Sequence, residues 1–233
     1  MLVFTNSNGY DIVTLVIPSI IPGKKSIIYN IMDLLKEYFK VDISNLNLET
    51  SKKYIYYNEI KNKSGKRYNE AFKELDKYDT YSCSPISIFE IFDELSKYIN
   101  DNSSILDIGS GRGLFTICYM NNIKHIGGIE VDINNVNITH ENLKILGIDN
   151  KIQIYHCDIL DFSDYDKYNI FYLYNPFDSH IFNMVIKKIK IGSIIIYLNV
   201  HDEEKKILHD NNFILIKSFN DRILNRECVI YKN

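Results

Sequence analysis

The sequence lacks several features that assign a protein to a specialised class. It contains no tryptophan, four prolines and four cysteines, and the cysteines form no C-x-x-C pair. Isolated cysteines of this kind are typical of reduced, buried thiols in an intracellular protein, and no His and Cys spacing suits a zinc site. We therefore expect a cytoplasmic location and no bound metal.

Signals for secretion and for membrane insertion are also missing from the sequence. The apolar stretch over residues 12–21 contains Pro18 and is too short to span a bilayer. A formal net charge of -3 provides no overall basic field, which disfavours tight non-specific binding to nucleic acids without excluding a local basic patch. We expect no membrane partner.

From residue 104 onward, short apolar runs alternate with segments of helical periodicity. This alternation predicts a mostly parallel α/β sheet with helices on both faces. Strands are expected over residues 104–108, 125–130, 152–157, 169–174, 193–200, 213–218 and 228–232. Helices are expected over residues 114–120, 134–146, 179–189 and 203–209. A polar stretch joins the last two strands, so we expect the sheet to end with an antiparallel strand.

A glycine-rich turn follows the first strand of this pattern. An acid, Asp107, lies inside the apolar strand. Three glycines then alternate with other residues, and the turn contains Gly109, Ser110, Gly111 and Gly113. Because glycine has no Cβ, a ligand can approach the backbone of such a turn, and the N–H groups that begin the next helix point toward it. The third glycine comes one residue too early for the dinucleotide fingerprint G-x-G-x-x-G. A tight turn without a ligand is the alternative.

The pattern D-x-G-x-G-x-G after an apolar strand resembles motif I of the class I, Rossmann-like methyltransferases that use S-adenosylmethionine. The resemblance covers residues 81–233 and implies a seven-stranded Rossmann-like domain. It also implies that this cofactor binds to Asp107, Gly109, Ser110, Gly111 and Gly113. A carboxylate suits the cofactor, which carries an ammonium and a sulfonium group.

Two more acids lie where predicted strands end, and open α/β sheets bind ligands at such ends. Glu130 follows the glycine turn by about 20 residues, where an acid can accept hydrogen bonds from ribose hydroxyls. Asp158 resembles the family acid that accepts from the adenine amino group, and Ile159 would offer its backbone N–H to the ring. Val131 and Ile159 would enclose the adenine between apolar faces. Acids exposed to solvent are the alternative.

A short motif follows the fourth predicted strand. Asn175-Pro176-Phe177 resembles the [DNS]-P-P-[YFW] motif of methyltransferases that act on amino or amide nitrogens, although this chain has one proline where the motif has two. The resemblance implies that Asn175 accepts a hydrogen bond from the target nitrogen and that the ring of Phe177 packs on the substrate. Pro176 fixes the backbone and removes a donor. A plain Asn-Pro turn is the alternative.

Other polar residues are weaker candidates for the site. Ser84-Pro85 suits a helix start and also resembles an [ST]-P element that lines the cofactor pocket in several amino-group methyltransferases, and Tyr81 lies in the same turn. His180 is near the Asn-Pro-Phe motif and is an outside candidate for a base. His201-Asp202 could be read as metal ligands, but a solvated loop fits them better.

Together the motifs predict an S-adenosylmethionine-dependent methyltransferase with a nitrogen acceptor on a protein, an RNA or DNA base, or a small amine. The net charge favours a protein or a small molecule. A non-catalytic cofactor-binding domain of the same fold and a nicotinamide-dependent oxidoreductase are the alternatives. Residues 1–80 carry no motif, and we interpret them as an N-terminal α+β extension that caps the catalytic domain at 81–233 and contributes to substrate recognition.

Overall fold

The computed structural model describes residues 2–5, 11–15, 91, 94–112, 123, 125–145, 147–220 and 225–233, with only the backbone described for the first two segments. Several predicted features lie outside these residues. They are the boundary at residues 80 and 81, the turn with Tyr81 and Ser84, Gly113, and the helix over 114–120.

Two short strands lie near the start of the chain. Strand β1 spans Leu2–Thr5 and strand β2 spans Asp11–Leu15. They pair antiparallel, with Leu2 opposite Leu15. The two strands form a two-stranded sheet of their own.

The described part of the main domain alternates strands with helices. Its strands are β3 (Ser104–Ile108), β4 (His125–Glu130), β5 (Ile152–His156), β6 (Ile170–Tyr174), β7 (Ile194–Leu198), β8 (Ile214–Asn220) and β9 (Glu227–Lys232). Its helices are α1 (Ile133–Ile145), α2 (Ser179–Ile186) and α3 (Asp202–Asp210), with a single 3₁₀ turn at Asp164–Lys167.

Seven of the described strands form one sheet in the order β5-β4-β3-β6-β7-β9-β8. Strands β3 to β7 are mutually parallel, and β9 runs antiparallel to both of its neighbours. This is the predicted fold class. The strand order reverses between β3 and β6, so the turns that follow these two strands flank the switch point where ligands of open α/β sheets bind.

The central strands are buried along their whole length. Every residue of β3 and of β7 is buried, as expected for parallel strands that are covered on both faces. The predicted bounds of β3 and β4 agree with the structure, and the other strands differ from the prediction by one or two residues at an end. Continuous apolar runs that stop at polar or glycine residues carry this signal.

Local capping fixes the two ends of α1. The Asp132 side chain accepts a hydrogen bond from the Asn134 backbone N–H at 2.9 Å, which satisfies one of the free N–H groups at the helix start. Beyond the helix end, Gly147 has φ of 67° and donates its N–H to the Lys144 carbonyl at 3.0 Å. A glycine in the left-handed region is the usual way to end a helix.

Helix α2 is shorter than predicted. It begins at the predicted residue, where the Asp178 carboxylate accepts from the Ile181 N–H at 2.9 Å. It ends at Ile186 instead of residue 189, because the Lys188 and Ile189 N–H groups bond to carbonyls three residues back. Tighter bonding of this kind commonly replaces the last helical turn. No helix among the described residues is long and apolar enough to cross a membrane.

Candidate active site

The glycine turn folds over the end of the neighbouring strand β4. Gly109 has φ of 77° and Gly111 has φ of 55°, a conformation that residues with a Cβ rarely adopt. The N–H groups of Gly109 and Ser110 both donate to the Ile129 carbonyl at 2.9 Å. The turn is therefore held at the carboxyl edge of the sheet, next to the switch point.

The Asn-Pro-Phe turn after β6 packs directly against this glycine turn. A Cβ added to Gly109 would lie 2.8 Å from the Pro176 Cβ, closer than real Cβ contacts come. The structure thus brings together two motifs that are separated by more than sixty residues in the chain. The missing side chain at Gly109 is required for this contact as well as for the turn.

Two buried acids lie at this edge. Asp107 is 2% exposed and Glu130 is 5% exposed. Burial, together with the charge of Glu130, holds the pKa of Asp107 well above its ordinary value. Burial also raises the pKa of Glu130 to about 7, although backbone N–H groups that donate to it act in the opposite direction. A ligand with positive charge and hydroxyl donors would favour the ionised form of both groups.

Glu130 also holds the backbone around it. Its Oε2 accepts from the Gly111 N–H at 2.8 Å, and its Oε1 accepts from the N–H groups of Val131 and Asp132, both at 2.8 Å. A carboxylate offers about four lone-pair sites, so acceptor capacity remains for a ribose. The ribose role stays a prediction, and the structure adds a second role, because Glu130 ties the glycine turn to the end of β4.

Helix α1 supports the turn through polar side chains that no sequence motif identifies. Thr139 Oγ1 lies within donating distance of two carbonyls, that of Gly111 at 3.0 Å and that of Asn135 in its own helix at 2.8 Å, and Asn142 Nδ2 donates to the Arg112 carbonyl at 3.3 Å. Thr139, Asn142 and Asn135 are all fully or almost fully buried. Their spacing of four and three residues places polar groups on one helix face. That stripe within an amphipathic helix was the available signal.

Asp158 lies at the end of β5, where the sequence predicts the adenine site. It is 3% exposed, and its Oδ1 accepts from the Leu160 N–H at 2.9 Å. Its buried Oδ2 has no hydrogen-bond partner in the part of the chain that the structure describes. Val131 is partly exposed, whereas Ile159 is buried in the hydrophobic core. An acceptor is thus available at this position, and Val131 offers more open surface than Ile159.

The Asn175 side chain sits between two residues of the adjacent strand and loop. The Tyr197 hydroxyl donates to Asn175 Oδ1 at 3.3 Å, and His201 Nε2 lies 3.4 Å from Asn175 Nδ2. The backbone of Asn175 has φ of 40°, which is uncommon for a residue with a side chain. The sequence favours a solvated loop for His201-Asp202, and the structure places the exposed His201 ring beside the predicted catalytic amide.

The ring of Phe177 is 5% exposed and belongs to the hydrophobic core, with Ile181 and Phe182 of α2 in the same cluster. In this structure the ring anchors the turn, and its packing on the substrate stays a prediction. His180 is exposed on α2, and no three His, Cys, Asp or Glu side chains form a metal site within the described ranges.

Comparison with known sequence families decides which family the chain belongs to. The sequence model of the RNA cap guanine-N2 methyltransferase family matches residues 102–229, which span β3 to β9 and contain both turns. The chain belongs to this family. It is an S-adenosylmethionine-dependent methyltransferase, and the class I superfamily assignment from the sequence is confirmed.

Solved structures of two methyltransferases and of a decarboxylase share the fold. An RNA methyltransferase from Salinibacter ruber, crystallised with S-adenosyl-L-homocysteine, is 12% identical, with a TM-score of 0.52 over 65% of this chain and 92% of that chain. Geranyl diphosphate C-methyltransferase from Streptomyces coelicolor A3(2), also with S-adenosyl-L-homocysteine, is 13% identical, with a TM-score of 0.53 over 64% and 77%. Precorrin 8w decarboxylase from Methanobacterium thermoautotrophicum is 18% identical, with a TM-score of 0.53 over 66% and 92%.

The described residues of this methyltransferase suit S-adenosylmethionine. The free Asp158 oxygen can accept from an amino group, the buried Asp107 can offset the charge of the ammonium and the sulfonium, and the buried Glu130 can accept from ribose hydroxyls. Gly111 carries no Cβ that would hold a ligand away from the backbone, whereas Pro176 occupies the space beside Gly109. The hydroxyl of Ser110, another predicted cofactor contact, is buried and has no partner among the described residues.

Proposed function

We propose that this protein transfers the methyl group of S-adenosylmethionine to the exocyclic N2 amine of a guanine in RNA. The supporting observation is the position of Asn175, whose amide lies directly after β6 at the switch point, beside the glycine turn. The family match supports RNA as the substrate class and guanine N2 as the acceptor.

The chemistry makes modest demands on the protein. S-adenosylmethionine supplies an activated methyl group when it is bound. The protein must hold the acceptor nitrogen in line with that methyl group and exclude water, and correct orientation can supply much of the rate acceleration. Asn175 serves this purpose in the proposal, because its carbonyl oxygen can accept an N–H of the guanine amine and direct the nitrogen lone pair toward the methyl group.

The acids of the pocket have a separate task. Asp107 and Glu130 lie on the β3–β4 side of the switch point, while Asn175 lies on the β6 side. The cofactor and the acceptor therefore approach from two neighbouring turns that touch through Gly109 and Pro176. In this division a change at Asn175 alters the reaction and leaves cofactor affinity intact.

The test is methylation of short RNAs that carry a 5′ guanosine cap, with isotopically labelled S-adenosylmethionine. Digestion to nucleosides and mass spectrometry should identify N2-methylguanosine. An otherwise identical RNA with inosine in place of the target guanosine lacks the N2 amine and should remain unmethylated. A methyl group found on oxygen, on carbon or on a protein, with guanosine RNA left unmodified, would refute the proposal.

Asn175→Ala provides the matched test in the protein. We expect unchanged affinity for S-adenosylhomocysteine in calorimetry and a methylation rate lower by about 10²-fold in single turnovers, because an acceptor without its orienting contact rarely reaches the reactive geometry. A native rate in this variant would remove Asn175 from the mechanism even if N2-methylguanosine is the product.

A further inference from the structure

The amide of Asn175 is held on two sides by residues that no sequence motif identifies. The Tyr197 hydroxyl contacts Oδ1 at 3.3 Å from strand β7, and the His201 ring contacts Nδ2 at 3.4 Å from the residue that precedes α3. Both atoms of the amide that can form hydrogen bonds are therefore in contact with a protein group.

Tyr197 is a fixed donor. Its side chain is 0% exposed, and its ring packs edge-on against Phe182 with a centroid distance of 5.1 Å. Burial, reinforced by the charges of Glu204 and Asp178, raises the pKa of Tyr197 well above its ordinary value, so the hydroxyl keeps its proton. A buried hydroxyl proton needs an acceptor, and Asn175 Oδ1 is the acceptor that the described residues place within reach.

The orientation of an Asn side chain is otherwise poorly defined. The terminal torsion of Asn has broad wells, and a half turn exchanges the carbonyl oxygen for the NH₂ group. After that exchange the Asn175 NH₂ group would face the Tyr197 hydroxyl, which is itself a donor. The substrate amine that accepts the methyl group would then meet the NH₂ group instead of the carbonyl oxygen. Tyr197 opposes the exchange, and His201 opposes it as well whenever its Nε2 accepts from Asn175 Nδ2.

We propose that Tyr197 and His201 are positioning residues for methyl transfer, which hold the Asn175 amide so that the second lone pair of Oδ1 faces the acceptor nitrogen. This inference rests on the proposed function, because the orientation of Asn175 Oδ1 matters for the reaction only if that oxygen binds the acceptor nitrogen. Neither residue needs to touch the substrate, since each acts through Asn175.

The first test measures the NMR signal of the Asn175 side-chain amide directly and needs no substrate. Full-length protein labelled with ¹⁵N-asparagine should show a side-chain NH₂ signal that Asn175→Ala removes, which assigns it. In Tyr197→Phe the ring stays and the hydroxyl is lost, and we expect this signal to move toward the position of an unrestrained amide. His201→Ala changes an exposed side chain, so the fold should persist, and it should move the same signal.

The second test measures kcat, KM for RNA and cofactor affinity in each variant and compares them with matched controls. Tyr197→Phe should lower kcat by about 3- to 10-fold, the effect of losing one hydrogen bond, with native KM for RNA and native affinity for S-adenosylhomocysteine. Tyr155→Phe removes a different tyrosine hydroxyl, which bonds to Tyr168 at 3.1 Å, and should leave kcat unchanged. His209→Ala, at the exposed end of α3, is the control for His201→Ala.

The outcomes separate this inference from the proposed function. A stationary Asn175 signal in both Tyr197→Phe and His201→Ala would overturn the inference whatever the activity. A signal that moves while kcat stays native would also overturn it, because the amide orientation would then not matter. If Asn175→Ala itself methylates RNA at the native rate, its role under the proposed function fails, and a moving signal would show only that Tyr197 and His201 hold a residue outside the reaction.

Discussion

Replacement of Gly109 by alanine tests whether the two turns of the site act as one unit. The added Cβ would lie 2.8 Å from the Pro176 Cβ, and the residue would have to keep a φ of 77°. Gly109→Ala should therefore destabilise the protein in two ways, through the left-handed backbone conformation and through the clash with Pro176. Gly147→Ala is the matched control, since Gly147 has a φ of 67° and an added Cβ there would meet nothing within 4 Å.

The two variants differ by the cost of the clash. A left-handed conformation costs an alanine about 1–2 kcal/mol, and this term applies to both positions. Forcing an additional methyl group into a packed contact costs about 1–3 kcal/mol, and this term applies to Gly109 alone. We therefore expect the free energy of unfolding to fall by about 2–5 kcal/mol in Gly109→Ala and by about 1–2 kcal/mol in Gly147→Ala.

Urea unfolding of both variants measures these losses, and activity shows where the strain is relieved. If the Pro176 turn moves to admit the new methyl group, Asn175 moves with it, and the methylation rate falls in Gly109→Ala but not in Gly147→Ala. Pro176→Gly removes the opposing Cβ, so the double variant should recover part of the loss, measured as a coupling energy. Equal losses in Gly109→Ala and Gly147→Ala, with no coupling to position 176, would refute the packed contact.

Three further predictions concern the buried residues Glu130 and Phe177. Because burial raises the pKa of Glu130 to about 7, its ionised form gains population as the pH rises, and calorimetry should show affinity for S-adenosylhomocysteine about tenfold higher at pH 8 than at pH 6, with no such rise in Glu130→Gln. The pH dependence of stability has the opposite sign. Between pH 4.5 and about 7 the folded protein keeps a proton that the unfolded chain has lost, so the free energy of unfolding should fall as the pH rises through that range. Glu130→Gln should reduce this slope. Phe177→Ala should lower the free energy of unfolding by about 3–5 kcal/mol while KM for RNA stays near native, because the ring is buried in the core. A stable Phe177→Ala variant with a raised KM would instead support the predicted packing on the substrate.

Strand positions were predictable from the sequence because each is encoded locally. The residues of β3 form an apolar run that stops at Gly109, and those of β4 stop at Glu130. A buried parallel strand needs such a run, and a turn needs glycine or polar residues after it. The end of α2 was predicted too far along the chain, since the apolar residues Ile186 and Ile189 continue the helical spacing while the backbone tightens after Ile186.

The contacts that complete the site were not predictable, because they depend on the order of strands in the sheet. Only the placement of β6 between β3 and β7 brings Pro176 to Gly109 and Asn175 to Tyr197. A sequence motif suggests a role for each of its residues but does not show which residues from other strands contact them. Phe177 shows the consequence, since the motif predicts an aromatic ring for the substrate and the fold uses that ring in the core.

The identity of residue 175 follows from three requirements that the structure imposes at once. Its backbone has φ of 40°, which asparagine tolerates better than most residues with a side chain. Its side chain accepts from Tyr197 and places its amide nitrogen beside His201 Nε2, which accepts in the tautomer that carries the proton on Nδ1. In that tautomer an aspartate would place an oxygen opposite a second acceptor. Among the residues that begin the pattern [DNS]-P-P-[YFW], asparagine alone carries an acceptor and a donor on one rigid plane, which suits both neighbours.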